Sequence, residues 1–221
     1  MSREIRITPS ILNADFQNLD YEIGRIAAQS DLIHLDVMDN IFVPNFTFDF
    51  QRASEIIHSC PIPVDAHLMV ADVDHIAPAY AETGCASVTI HAEATRNVGA
   101  TLRSIRKAGA RAGLGIKPGT SIEDYSEFID DVDMFLIMTV EPGFGGQSFM
   151  HSMMDKVQRT RSIIGDRPIW LQVDGGISLD TISEAAQAGA DVFVAGSAVF
   201  KADNPSEMIN SLRKLADSVV N

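Results

Sequence analysis

Eight short runs of aliphatic and β-branched residues recur along the chain, at residues 5–11, 32–37, 62–70, 87–91, 112–116, 134–140, 169–173 and 191–195. Most are near-continuous rather than alternating, as expected of parallel strands covered on both faces. Between them lie segments with apolar residues at helical spacing, such as Val98, Leu102, Ile105 and Ala108, or Met208, Leu212, Leu215 and Val219. The last of these carries a start signal in Asn204, Pro205 and Glu207. Three times a glycine among small residues precedes a strand, at Gly84, Gly109 and Gly189, where a left-handed residue can stop a helix and return the chain to the sheet. Pro78 is expected to shorten the third helix, because it cannot donate within a helix interior. The alternation predicts an α/β fold, a TIM (β/α)8 barrel that occupies residues 1–221 as a single domain. A doubly wound open sheet shares the alternation, but no G-x-G-x-x-G follows the first strand.

Charge and hydropathy narrow the function classes. A formal net charge of −13 disfavours nucleic acid and acidic membranes, which require a clustered basic face. It also means that an anionic substrate must be held locally, by backbone N–H groups and helix N-termini. No apolar run reaches the ~18 residues of a membrane span, and the N-terminus has no signal core, so a cytoplasmic protein is expected. Cys60 and Cys85 lack metal-ligand spacing and are read as buried free thiols.

Ionisable residues inside buried strands are informative, since they persist only when paired or bound to a metal. A period of two puts His34, Asp36 and Met38 on one face of the second run, and Asp65, His67 and Met69 on one face of the third. Asp174 closes the seventh. All lie at C-terminal strand ends, the end that carries the active site in a TIM barrel. His34, Asp36, His67 and Asp174 are therefore expected to converge. Two imidazoles and two carboxylates suit one Zn²⁺, Fe²⁺, Mn²⁺ or Co²⁺ ion rather than Mg²⁺ or Ca²⁺. His91 ends the fourth run with no second carboxylate among its strand neighbours, and is read as support rather than as a ligand; His58, His75 and His151 are read as surface residues. Glycine-bearing turns follow the last three strands: Gly143-Phe144-Gly145-Gly146, Gly175-Gly176 and Gly196-Ser197. Their position matches the phosphate cradle common in TIM barrels.

Six motifs, in order along nearly the whole chain, closely resemble those of the ribulose-phosphate 3-epimerase family. They are Pro9-Ser10-Ile11-Leu12, His34-Leu35-Asp36-Val37-Met38-Asp39, Asp65-Ala66-His67-Leu68-Met69, Val140-Glu141-Pro142-Gly143-Phe144-Gly145-Gly146-Gln147, Val173-Asp174-Gly175-Gly176-Ile177 and Ala195-Gly196-Ser197-Ala198-Val199-Phe200. The resemblance implies one divalent ion per subunit on His34, Asp36, His67 and Asp174, with Asp36 and Asp174 also serving as acid and base. It further implies that Ser10 contacts substrate, that Met38, Met69 and Met138 line the pocket, and that phosphate sits on the three glycine turns. The expected reaction is epimerisation at C3 of a ketose phosphate, D-ribulose 5-phosphate to D-xylulose 5-phosphate, by two-base proton transfer through an enediolate. The alternatives are the same chemistry on a six-carbon substrate such as D-allulose 6-phosphate, a lyase or decarboxylase, which would present a catalytic Lys among the strand-end acids, and a non-catalytic phosphate- or metal-binding barrel. Lys117 is the one strand-end lysine. The expected partners are a small phosphorylated sugar and further copies of the chain. Two positions depart from the family pattern: Asn40 stands where Gly is usual, and Asp49-Phe50 replaces Gly-Pro. Asn tolerates a left-handed conformation, so the turn should survive.

Overall fold

The computed structural model describes residues 3–220. Its eight strands are β1 (Arg6–Thr8), β2 (Ile33–Met38), β3 (Val64–Met69), β4 (Ser87–His91), β5 (Arg111–Ile116), β6 (Met134–Met138), β7 (Trp170–Asp174) and β8 (Val192–Val194). They form one parallel sheet in the order β1-β8-β7-β6-β5-β4-β3-β2. A parallel bridge between Ser10 and His34 closes the sheet into a barrel, with the His34 N–H donating to the Pro9 carbonyl at 3.0 Å.

Helices follow the strands: α1 (Leu19–Gly24), α2 (Phe50–Ser59), α3 (Val73–Glu82), α4 (Val98–Lys107), α5 (Met154–Ile164) and α6 (Ile182–Ala188), then α7 (Ser197–Phe200) and α8 (Pro205–Val220) after β8. The connection after β5 is a 3-10 segment, Glu123–Phe128, in place of an α-helix. Asn204 accepts the Glu207 N–H at 3.3 Å at the start of α8, as its start signal suggests. The helix-stopping glycines Gly84, Gly109 and Gly189 all have positive φ. Pro78, in contrast, does not shorten its helix: α3 runs through it. The only carbonyl that loses its donor is that of Asp74, in the first turn, while Ala77 and Tyr80 anchor the helix to the core.

The period of two divides the strands between two environments. Leu35, Val37, Ala66, Leu68, Leu171 and Val173 point outward into the main core beneath the helices. His34, Asp36, Asp65, His67, Thr89, His91 and Gln172 fill the barrel interior and are nearly inaccessible. At the N-terminal end of the barrel Trp170 forms the floor, with the Arg6 and Arg111 guanidinium carbons 4.2 and 3.8 Å from its ring centroid. The two cysteines are free; Cys85 is buried, but Cys60 is only half-buried. Among the described residues no helix is long and apolar enough to cross a membrane.

Both departures from the family pattern have a local structural account. Asn40 has φ 59°, the one non-glycine with positive φ among the described residues. Asp49 caps α2 by accepting the Arg52 N–H at 2.7 Å. Phe50 packs edge-on against Tyr80 at 5.0 Å between ring centroids.

Candidate active site

Adjacent parallel strands put Asp36 and His67 in register, two residue pairs above His34 and Asp65 and on the same face, and β7 adds Asp174 with β1 and β8 between it and β2. The facing atoms lie close. His34 Nε2 is 3.3 Å from Asp36 Oδ1, 3.7 Å from Asp174 Oδ2 and 3.4 Å from His67 Nδ1. His67 Nδ1 is 3.1 Å from Asp36 Oδ1 and 3.5 Å from Asp174 Oδ2. Donors bound at ~2.0–2.1 Å around a tetrahedral ion stand about 3.3–3.4 Å apart. The four side chains fit a divalent transition ion in both donor type and spacing, and this cluster can hold one.

Buried polar residues support the cluster. Asp65 takes three bonds: His34 Nδ1 at 2.8 Å, the Ser87 hydroxyl at 2.6 Å and the Gln172 amide at 2.7 Å. The Ser10 hydroxyl donates to Asp36 Oδ2 at 2.5 Å. His91 Nε2 approaches His67 Nε2 at 2.9 Å, and its Nδ1 lies 3.2 Å from Glu93. Sequence reasoning passed over this carboxylate because it stands two residues beyond His91, after the strand has ended.

Burial opposes charge at every one of these groups, and neighbours decide the outcome. For His34 burial is outweighed by the Asp36 and Asp65 carboxylates, which hold the imidazole well above its ordinary range. For His67 burial is outweighed by hydrogen bonds to Asp174 and Asp36, again upward. Asp36, despite burial, is held far below the usual carboxylate range by His34 and His67. Asp65 is lowered against burial by His34, then by Ser87 and Gln172. Burial dominates at His91 and pushes it down to about 4. Glu93, with burial opposing, is drawn down to about 2 by hydrogen bonds from His91, Thr120 and the Lys117 N–H.

A cleft opens above the cluster. Ser10, Asp36, Met38, Met69, Met138, Asp174 and all three glycine turns, with Phe144 and Ser197, line it; His34 and His67 lie beneath. The structure therefore gathers the four candidate metal ligands, Ser10, the three methionines and the glycine turns at one mouth. No Lys or Arg lines the cleft among the described residues. Lys117 instead lies 3.7 Å over the Phe42 ring. Tight approach explains two of the glycines: a Cβ on Gly176, at φ 68°, would fall 2.6 Å from the Phe149 nitrogen, and one on Gly196 would fall 2.3 Å from Asn13 Oδ1. Asn13 and Gln147 also line the cleft and were not singled out in the sequence. Gln147 braces the first glycine loop, donating to the Glu141 and Phe144 carbonyls at 2.6 and 2.8 Å.

Comparison with known sequences points to one family. The ribulose-phosphate 3 epimerase family profile matches residues 6–200. The chain is 46% identical over 215 residues to the ribulose-phosphate 3-epimerase of Mycobacterium leprae, covering 96% of each chain. It is 44% identical over 225 residues to ribulose-phosphate 3-epimerase 1 of Cupriavidus necator, covering 97% of this chain and 93% of that one. Among solved structures, 3-keto-L-gulonate-6-phosphate decarboxylase from Vibrio cholerae superposes with a TM-score of 0.75 at 15% identity, covering 98% and 99% of the two chains, a likeness of fold alone. With sequence similarity along nearly its full length and the motif residues brought to one mouth, the chain belongs to the ribulose-phosphate 3-epimerase family.

Proposed function

We propose that the protein is an isomerase that inverts C3 of D-ribulose 5-phosphate to give D-xylulose 5-phosphate. One observation carries this reading: two carboxylates, Asp36 and Asp174, reach a single ion-competent cluster from different strands, beneath a cleft lined by glycine turns. Inversion beside a ketone needs a proton removed from one face and one delivered to the other. Asp36 and Asp174 are the acid–base pair, one on each side of a planar enediolate. Ser10, held against Asp36, touches the substrate. Met38, Met69 and Met138 exclude water around the reacting carbons. Backbone N–H groups of Gly143, Phe144, Gly145, Gly146, Gly175, Gly176, Gly196 and Ser197 hold the phosphate.

His34, Asp36, His67 and Asp174 hold the ion, which is Zn²⁺, Fe²⁺, Mn²⁺ or Co²⁺. When bound it supplies Lewis acidity for the oxygens that gain charge. The test is a coupled assay on D-ribulose 5-phosphate and D-allulose 6-phosphate, with elemental analysis of the protein. The expected result is at least a tenfold higher kcat/KM for the pentulose, a difference of about 1.4 kcal/mol, together with near-stoichiometric metal. A preference for the hexulose transfers the assignment to the six-carbon substrate, and full activity in verified metal-free protein removes the ion from it.

The same reading makes the enzyme a cytoplasmic homo-oligomer. Ile41 and Phe46 between β2 and α2, and Phe50 at the start of α2, expose 78%, 59% and 46% of their surface, which supports self-association. Sedimentation at micromolar concentration should give a multiple of 24.0 kDa; a monomer mass rejects this part.

A further inference from the structure

Two imidazoles reach the ion cluster, and each turns its other ring nitrogen outward. They do so through opposite atoms. His34 presents Nε2 and anchors Nδ1 on Asp65 at 2.8 Å. His67 presents Nδ1, so its outward nitrogen is Nε2, which points to β4. Thr89 is the residue in register with His67, and His91 stands one pleat further up that strand. Among the described residues no carboxylate meets the outward nitrogen; His91 Nε2 does, at 2.9 Å.

The direction of each hydrogen bond follows from valence. An imidazole that ligates through Nδ1 carries its proton on Nε2. The proton on His67 Nε2 needs an acceptor, and His91 Nε2 is the atom in reach. His91 must therefore carry its own proton on Nδ1, which faces Glu93 Oε2 at 3.2 Å. The other Glu93 oxygen accepts the Lys117 N–H at 2.9 Å, which fixes the carboxylate at the end of β5. Phe42 covers the outer face of His91 at 5.1 Å between ring centroids, and His91 is fully buried.

We infer that His91 and Glu93 are positioning residues: a relay from Glu93 through His91 holds His67 in the tautomer and orientation that present Nδ1 to the metal. This rests on the metal assignment made above and adds to it an outer support for the second ligating imidazole, equivalent to Asp65 for the first but one imidazole longer. Such outer partners typically contribute 10–100-fold in metal affinity.

Three measurements on the full chain test it. In Zn²⁺-loaded protein with ¹⁵N-labelled histidine, long-range ¹H–¹⁵N correlation should find His67 protonated at Nε2 and His91 at Nδ1. Competition with a chelator should show Zn²⁺ bound roughly 10–100-fold more weakly by His91→Leu, while His91→Gln, whose amide oxygen can still accept the His67 proton, recovers most of the loss. Co²⁺-substituted protein should show altered visible ligand-field bands in His91→Leu and near-parental bands in His91→Gln. A His91 protonated at Nε2 in the loaded parent overturns the relay, even should the leucine variant fail to fold. Equal Zn²⁺ affinity in His91→Leu and parent also overturns it, and leaves the metal assignment intact. A parent that retains no ion overturns the metal assignment and the relay with it.

Discussion

Asp36 divides its two oxygens between separate tasks: Oδ1 faces His34 and His67, while Oδ2 accepts the Ser10 hydroxyl. Asp174 reaches the cluster from β7 with 15% of its side chain exposed, against 4% for Asp36. Both line the cleft, but the deeper carboxylate is locked by neighbours and the shallower one is the more exposed, a difference suited to two distinct proton-transfer roles. Asp36→Asn and Asp174→Asn should each lower kcat for inversion by ~10²–10⁴-fold, and each should retain solvent exchange at C3 of a different epimer. NMR in D2O decides this on variants that still hold metal. Two variants that exchange the same epimer, or one that still inverts at a near-normal rate, remove the two-base assignment. The four clustered residues were legible in the sequence, because a period of two assigns each strand residue to a face and the polar ones stand out against apolar runs. Ser10 on Asp36, Gln172 on Asp65 and Glu93 behind His91 were not legible as contacts. They depend on register between strands and on where a loop returns, which one strand's periodicity does not encode.

At the scale of elements, the glycine turns and the first 3-10 turn form one wall. Asn13, the last residue of the turn Ile11–Asn13, fits between Gly145 and Gly196, where added Cβ atoms would come within 2.6 and 2.3 Å of its side-chain amide. Gly196→Val would displace that amide and the start of α7 together. Overpacking costs about 1–3 kcal/mol, equivalent to roughly 5–150-fold in KM, and metal content should stay at the parental value. An unchanged KM places the phosphate elsewhere. The turns themselves were legible as glycine clusters after the last three strands. Asn13 was not, because nothing in its local sequence shows that barrel closure will bring the β1 end beside the β8 end. The unbroken α3 teaches the converse: a proline weighs on a helix according to which carbonyl it strands, and here that carbonyl is in the first turn.

For the molecule as a whole, acid stability offers a check on the buried polar network. Glu93 has a folded value of about 2 against an ordinary 4.5. A depressed carboxyl contributes stability that is complete above its unfolded value and is lost as pH falls through the folded one. In metal-free protein, the Tm gap between parent and Glu93→Gln should therefore be constant above about pH 5 and close as pH falls from about 4.5 towards 2. A gap of equal size at pH 6 and pH 3 means that the carboxylate is not held as described. The global fold was the most legible feature of all, since eight apolar runs separated by amphipathic segments leave few architectures open. The sequence could not indicate that the fifth connection is a 3-10 segment, or that the first and eighth strands shrink to three residues each. Those outcomes are set by packing.

The stack of Arg6, Trp170 and Arg111 covers the lower end of the barrel, opposite the cleft. On the proposed assignment, sugar and ion would share the upper mouth, and their traffic would be sequential. An ion on the His34, Asp36, His67 and Asp174 cluster would have to be aboard before the sugar arrives, and a sugar in the cleft would act as its stopper. A working enzyme saturated with substrate should therefore shed its ion more slowly than an idle one, without any change at the ligands themselves.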